Sequence, residues 1–289
     1  MPAVLRLSVL RPLWAVLLLG AFVALFWPTF AWLAERFDAH DSFYSHGWLI
    51  PLASAWLIWQ RRSVLKVLRS HSSFAGLALL IPSTAAHVLA TWWHVHVVSG
   101  FAMVGAIGGL VWTLWGWEAL WALRFPLFFL LFMVPLPGVL LIATSFHMKL
   151  MAASWAAQVL QVLGIPTHQA GSTILVPGVS VVVDDTCSGL RSLISLIALA
   201  TLWTAFLPPS ATRGHKALIV AASIPIALAA NMVRILILVL LSAIYGPQIA
   251  EGFIHYGSGF VVFGIALAAL AMLSTRLVKS GQHLEKALS

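Results

Sequence analysis

The sequence predicts an all-α integral membrane protein. It reads as a polytopic bundle of about eight transmembrane helices, with both termini cytoplasmic and a small extracytoplasmic β-hairpin. Three observations carry this. Of 289 residues, 61% are hydrophobic and only 8% are charged, against roughly 25% charged in a soluble domain. The apolar residues fall into runs of bilayer length. The basic residues collect in short clusters between alternate runs, as in cytoplasmic loops. The net charge of +8 is therefore not a nucleic-acid-binding stripe, and lipid is the surrounding partner. The single cysteine allows no intramolecular disulfide and leaves the redox compartment open. No internal repeat or low-complexity tract divides residues 1–289, which read as one domain.

The first span is Leu13 to Leu33. It is followed by further spans and lacks a small-residue cleavage site, so it reads as a retained helix rather than a signal peptide. After the polar loop Glu35 to Asp41 comes a shorter second span, Tyr44 to Trp59. Arg61, Arg62, Lys66 and Arg69 form the most basic loop. Phe74 to Trp93 and Val97 to Trp117 are the third and fourth spans, joined by the tight turn His94-Val95-His96. The fifth, Phe125 to Thr144, is interrupted by Pro135 and Pro137, which should kink or break it. Phe146 to Leu163, with Lys149, Gln158 and Gln161, reads as a helix at the interface or packed on the bundle. From Ile165 to Val183, Gly171, Pro177 and Gly178 punctuate β-branched runs and predict a hairpin. The sixth span runs from about Leu190 to Leu207 and stops at Pro208-Pro209. The seventh covers Ala217 to Leu241, with Pro225 as a kink. The eighth covers Phe260 to Leu273 and extends back as far as Gly252 on a wider reading.

Eight spans with the N-terminus inside place 12 of the 16 basic residues in inside segments. Only Arg36 and Lys149 fall outside, and Arg191 and Arg234 lie within or at the edge of spans. Seven spans, or a re-entrant fifth, are the competing counts. In the eight-span topology Cys187 is at the outer end of span six and His255 enters span eight from outside. Arg234 lies about 7 residues, or about 10 Å, below the outer end of span seven. Three chemically capable residues, far apart in sequence, thus converge on one side of the membrane. Arg234, in Asn231-Met232-Val233-Arg234, is costly in so apolar a context, about 2.5–3.5 kcal/mol on insertion scales. Asn231, one turn away, is placed to orient it.

Cys, His and Arg together form a nucleophilic kit. His takes the thiol proton, Cys attacks a carbonyl, and Arg donates to the oxyanion or to nearby substrate. If the apolar run begins a helix at Cys187, its free N–H groups and dipole favour thiolate, and Arg191 shares its face. Ser188 and Gly189 leave room for another chain. Asp184 and Asp185 act against the thiolate; orienting His255, capping span six and binding substrate are their alternative roles. His46, between Tyr44 and Trp48, is either a substrate or supporting contact or an interfacial histidine.

Several stretches resemble the exosortases of the exosortase/archaeosortase superfamily: Thr186-Cys187-Ser188-Gly189-Leu190-Arg191-Ser192, Asn231-Met232-Val233-Arg234-Ile235 and His255-Tyr256-Gly257-Ser258-Gly259. Tyr44 to Pro51 and Phe125 to Pro137 resemble them too, so the likeness covers about residues 40–275, with the hairpin at 165–183. The Asp-Asp pair ahead of Cys187 is not part of the pattern. The resemblance implies a membrane cysteine protease or transpeptidase, without cofactor or metal, in a bacterial inner membrane with its site facing the periplasm. It implies Cys187 as nucleophile with Arg234 and His255 as partners. The implied substrates are exported proteins with a C-terminal PEP-CTERM-like sorting tail: a Pro-Glu-Pro-like motif, a transmembrane helix and an Arg-rich end. The acceptor, an amine or otherwise, is left open. Arg191, Arg234 and Arg36 are candidates to pair the motif's glutamate.

Rival readings make different demands. A transporter needs polar residues through the full membrane depth, whereas the inner halves of spans six to eight are almost purely apolar. A metalloprotease lacks a His pair four apart with an adjacent Glu, although His87 and His94, seven apart, can share a face. A rhomboid-like serine protease has only Ser258 to offer and leaves Cys187 and Arg234 unexplained. A non-enzymatic scaffold would tolerate Cys187→Ala.

Overall fold

The computed structural model describes the backbone of residues 2–40, 42–68, 71–185, 187–246 and 253–288, with side chains from residue 13 and, in the last segment, at 257–279. The chain forms two compact units, residues 1–39 with 45–135, and residues 40–44 with 136–289.

In the first unit, helix α1 (Pro2–Leu25) meets α2 (Trp27–Asp38) at a bend of 62°. Pro28, in the first turn of α2, has no N–H to donate. Thr29 N–H bonds to the Phe26 carbonyl at 3.0 Å, one residue short of the α-helical partner Leu25. The freed Leu25 carbonyl accepts from His87 Nε2 at 2.8 Å. With Nε2 carrying the proton, Nδ1 accepts from Ser99 Oγ at 2.7 Å. His87 is thus a fully engaged core residue. His94, its expected face partner, is in the following turn with a left-handed φ of 57°.

Beyond a 3-10 turn (Ser45–Trp48), α3 (Leu49–Gln60) and α4 (Arg62–Val67) lead to α5 (Leu77–Trp92) and α6 (His96–Ala122). These two pack through glycine. A Cβ at Gly109 would lie 2.6 Å from Leu80 N, and one at Gly76 would strike Thr113 N. Small residues at such contacts let helix backbones approach closely in a membrane protein. Helix α7 (Arg124–Phe129) continues as a 3-10 turn (Leu130–Met133).

Five described helices are long and apolar enough to cross a membrane, or six if the bent α1–α2 pair is one span, against about eight expected. Three expected spans are shorter or divided differently. Tyr44 to Trp59 is a 3-10 turn and the 12-residue α3. Leu190 to Leu207 is the 14-residue α9 (Leu190–Trp203). Phe125 to Thr144 breaks at Val134–Pro137, because Pro135 and Pro137 cannot donate to a helix. The chain then restarts as one 25-residue helix, α8 (Gly138–Val162). No proline follows within it, so the expected boundary near residue 145 does not exist.

The second unit holds α8, a sheet, α9, α10 (Arg213–Tyr245) and α11 (Phe253–Leu288). The expected hairpin at 165–183 is a three-stranded antiparallel meander of β1 (His168–Ala170), β2 (Thr173–Val176) and β3 (Val179–Val182). Gly171 and Gly178, with φ of 64° and 85°, each serve a two-residue turn that a side chain would strain. Ile174 pairs with Val181. These two, with Val176 and Val183, point inward against Ala153, Ala156 and Leu160 of α8 and Ile235, Leu238 and Val239 of α10. Cys187 belongs to this same core. A second core joins Leu196 and Ala200 of α9, Ile219 and Ala227 of α10, and Ala266 and Leu270 of α11.

Candidate functional site

The sheet delivers the chain from buried Val183 into a loop that contains the cysteine. Cys187 N–H donates to Asp184 Oδ1 at 2.9 Å and to the Asp184 carbonyl at 3.2 Å. Ser188 Oγ donates to the Asp185 carbonyl at 2.8 Å and accepts from Leu190 N at 3.3 Å. Gly189, with φ 80° and ψ 0°, forms the N-cap of α9. Cys187 therefore precedes the first helical residue by three positions. The expected same-face relation to Arg191 does not hold, since only Arg191 is in the helix. Asp184 closes the turn at Cys187 and does not cap α9.

The loop is anchored to α10. Asn231 Nδ2 donates to the Cys187 carbonyl at 2.9 Å, rather than serving Arg234 as the sequence suggested. A Cβ on Gly189 would sit 2.6 Å from Asn231 Cγ, so glycine permits this approach. One turn on, Arg234 is 8% exposed. Its Nε lies 3.4 Å from Ser258 Oγ of α11, and Gly259 leaves its guanidinium room, with a hypothetical Cβ 3.6 Å from Cζ. Ser192, Asn231, Arg234, Gly259 and Phe263 line a crevice between α9, α10 and α11. A buried guanidinium beside it is a preorganised donor for developing negative charge.

On the other side, the loop is tied to α8. Lys149 Nζ meets Asp185 Oδ1 at 2.9 Å, and Ser145 Oγ donates to the same oxygen at 2.8 Å. These two hydrogen bonds, Lys149 first, hold the Asp185 carboxyl below the usual carboxylate range, while its partial burial acts in the opposite sense.

The remaining candidates are distributed. Arg191 is in the first turn of α9, with Nε buried and without a hydrogen-bond partner among the described residues. His46 is half-buried in the 3-10 turn of the first unit, and Arg36 is in the last turn of α2. The backbone of His255 is in the first turn of α11, three residues before Ser258; its side chain lies outside the described residues.

A family model described as transmembrane exosortase matches residues 32–272, more than four-fifths of the chain. The chain belongs to the transmembrane exosortase family. Comparison with curated proteins and with solved structures found no match. The matched range in this exosortase includes the Cys187 loop, the Asn231–Arg234 turn and the start of α11. In the sequence Lys149 reads as an outside charge on an interfacial helix, and Ser258 as a rival nucleophile and a member of the His255 motif; neither reading names its partner. Lys149, the sole Lys, Arg, Asp or Glu in α8, was the available signal, because an isolated charge in an apolar helix needs a partner.

Proposed function

We propose that this exosortase is a membrane cysteine protease or transpeptidase that cleaves the C-terminal sorting tail of exported proteins. The observation that carries the reading is the Asn231–Cys187 hydrogen bond. It attaches the loop of the chain's single cysteine to the helical turn that bears a buried arginine.

In the proposed reaction His255 accepts the Cys187 thiol proton, and Sγ attacks the scissile carbonyl carbon. Arg234 stabilises the negative charge on its oxygen. Collapse breaks the C–N bond and forms a thioester with the upstream protein. The tail leaves as an amine carrying the proton returned by His255. Water or an acceptor amine then attacks the thioester and restores the thiol. Cys187, Arg234 and His255 are the residues proposed to act on substrate. Arg191, with its buried Nε, is the arginine we assign to the glutamate of a Pro-Glu-Pro-like motif.

We infer that the site faces the periplasm of a bacterial inner membrane. In the eight-span topology the excess of Lys and Arg in alternate segments supports this orientation. The sheet supports a site outside the hydrocarbon, since an open three-stranded sheet has unpaired backbone edges that hydrocarbon does not tolerate. The sheet packs on the Ala152–Leu160 half of α8, so that half belongs outside the hydrocarbon.

The test is co-expression with a tagged protein bearing a Pro-Glu-Pro, helix and Arg-cluster tail. The wild type should yield a shortened product, and Cys187→Ala and Arg234→Lys should not. Mass spectrometry of the new C-terminus separates hydrolysis from transfer. Processing that persists in Cys187→Ala would sink the mechanism.

A further inference from the structure

We propose that Lys149 and Ser145 of α8 are positioning residues that set the geometry of the Cys187 loop through Asp185. The inference rests on the reading of Cys187 as the nucleophile, and it names residues outside the Cys–Arg–His set.

Ser145 and Lys149 are four residues apart and so share a helix face. Both converge on one oxygen, Asp185 Oδ1, at 2.8 and 2.9 Å. Ser145 is buried at 1% exposure. Lys149 is 19% exposed while Asp185 is 58% exposed, so the aspartate comes from the open side and the lysine is the embedded partner. Lys149 is the sole Lys, Arg, Asp or Glu of the 25-residue α8.

Fold stability is a poor reason for it, because a pair with one partner this exposed adds little. Position is a better one. Asp185 is two residues from Cys187, and its own carbonyl accepts from Ser188 Oγ. The described residues 184, 185 and 187–189 lie outside helices and strands, so the loop's shape depends on its internal hydrogen bonds and on such attachments. Asn231 fixes it from α10 at the Cys187 carbonyl, and Lys149 with Ser145 fixes it from α8. Cys187 carries one anchor on its own carbonyl and lies two residues from the other. Releasing one anchor lets the nucleophile shift, and displacement by about 1 Å can lower a rate on the order of 100-fold.

The chain's single cysteine provides a readout that needs no substrate. Full-length protein in detergent is reacted with a neutral maleimide, and the alkylation rate of Cys187 is compared across Lys149→Met, Lys149→Arg, Ser145→Ala, Asp185→Asn and the charge swap Lys149→Asp with Asp185→Lys. Thermal midpoints establish that each variant is folded. Cys187 is 5% exposed. Lys149→Met and Asp185→Asn should raise its alkylation rate several-fold, Ser145→Ala should raise it less, and Lys149→Arg and the charge swap should bring it back towards wild type. Tail processing should fall and recover in the same order. Wild-type alkylation rates in folded Lys149→Met and Asp185→Asn would overturn the inference, as would a swap no better than its single variants. If alkylation follows the expected order while no tail is processed by any form, Lys149 and Ser145 still set the geometry of the loop and the sorting-tail reading fails.

Discussion

The side-chain amide of Asn231 donates to the backbone carbonyl of Cys187 at 2.9 Å, across 44 residues of sequence. The turn that holds Cys187 is thereby fixed to the helix that carries Arg234. Both groups are buried, so the bond matters chiefly through what its loss would leave behind.

Asn231→Asp keeps the size of the side chain but offers an oxygen where a donor is needed. A buried carbonyl left without its partner costs about 1–3 kcal/mol. We expect a lower thermal midpoint in detergent and a larger proportional loss of tail processing. A variant with wild-type processing would show that the anchor is dispensable.

Two glycine substitutions separate backbone strain from collision. Gly178→Ala, at φ 85° with nothing within 4 Å of a Cβ, should cost only about 1–2 kcal/mol for the left-handed backbone. Gly189→Ala has a similar φ but places its Cβ 2.6 Å from Asn231 Cγ, so it must also displace the Cys187 anchor. Thermal unfolding of the two, with processing assays, should show Gly189→Ala as the far more damaging change.

Asp185 predicts a pH dependence of defined sign. Its folded-state carboxyl is held low, first by Lys149 and then by Ser145. The stabilisation is therefore present above the ordinary carboxylate range and is lost as pH falls through the depressed value. The difference in thermal midpoint between wild type and Asp185→Asn should be present at neutral pH and vanish on acidification. In a Lys149→Met background the difference should be small throughout. A difference that grows on acidification would contradict the assignment.

The α5–α6 contact offers a test of stability away from the cysteine loop. Gly109→Ala would bring Cβ to 2.6 Å from Leu80 N, and such overpacking costs about 1–3 kcal/mol. At Gly20 a Cβ meets nothing within 4 Å, and Gly→Ala in a helix gains about 0.5–1 kcal/mol. Denaturation in detergent should move in opposite directions for the two.

The candidate residues were legible because chemistry is written in residue type. A lone cysteine and an arginine in an apolar run stand out without coordinates, and the family motif connects them to His255. The existence of most helices was legible for the same reason, since apolar runs of bilayer length have few other uses. The division of residues 125–163 was misread. Two prolines announce a break, but only the continuous hydrogen bonding from Gly138 to Val162 shows that no second one follows. The strand count was missed too, because Gly171 and Pro177-Gly178 read equally well as ends of one hairpin or as two turns.

By itself the sequence determined that this is a helical membrane protein of the exosortase type, since composition, run length and local motif are properties of the chain read in order. Only the tertiary structure decided what holds the cysteine. Asn231 to the Cys187 carbonyl, Lys149 and Ser145 to Asp185, and Arg234 beside Ser258 each join residues many positions apart. Which partner such a group finds depends on which helices pack together, and Asn231 shows the difference: the sequence put it beside Arg234, while packing against Gly189 gave it to Cys187.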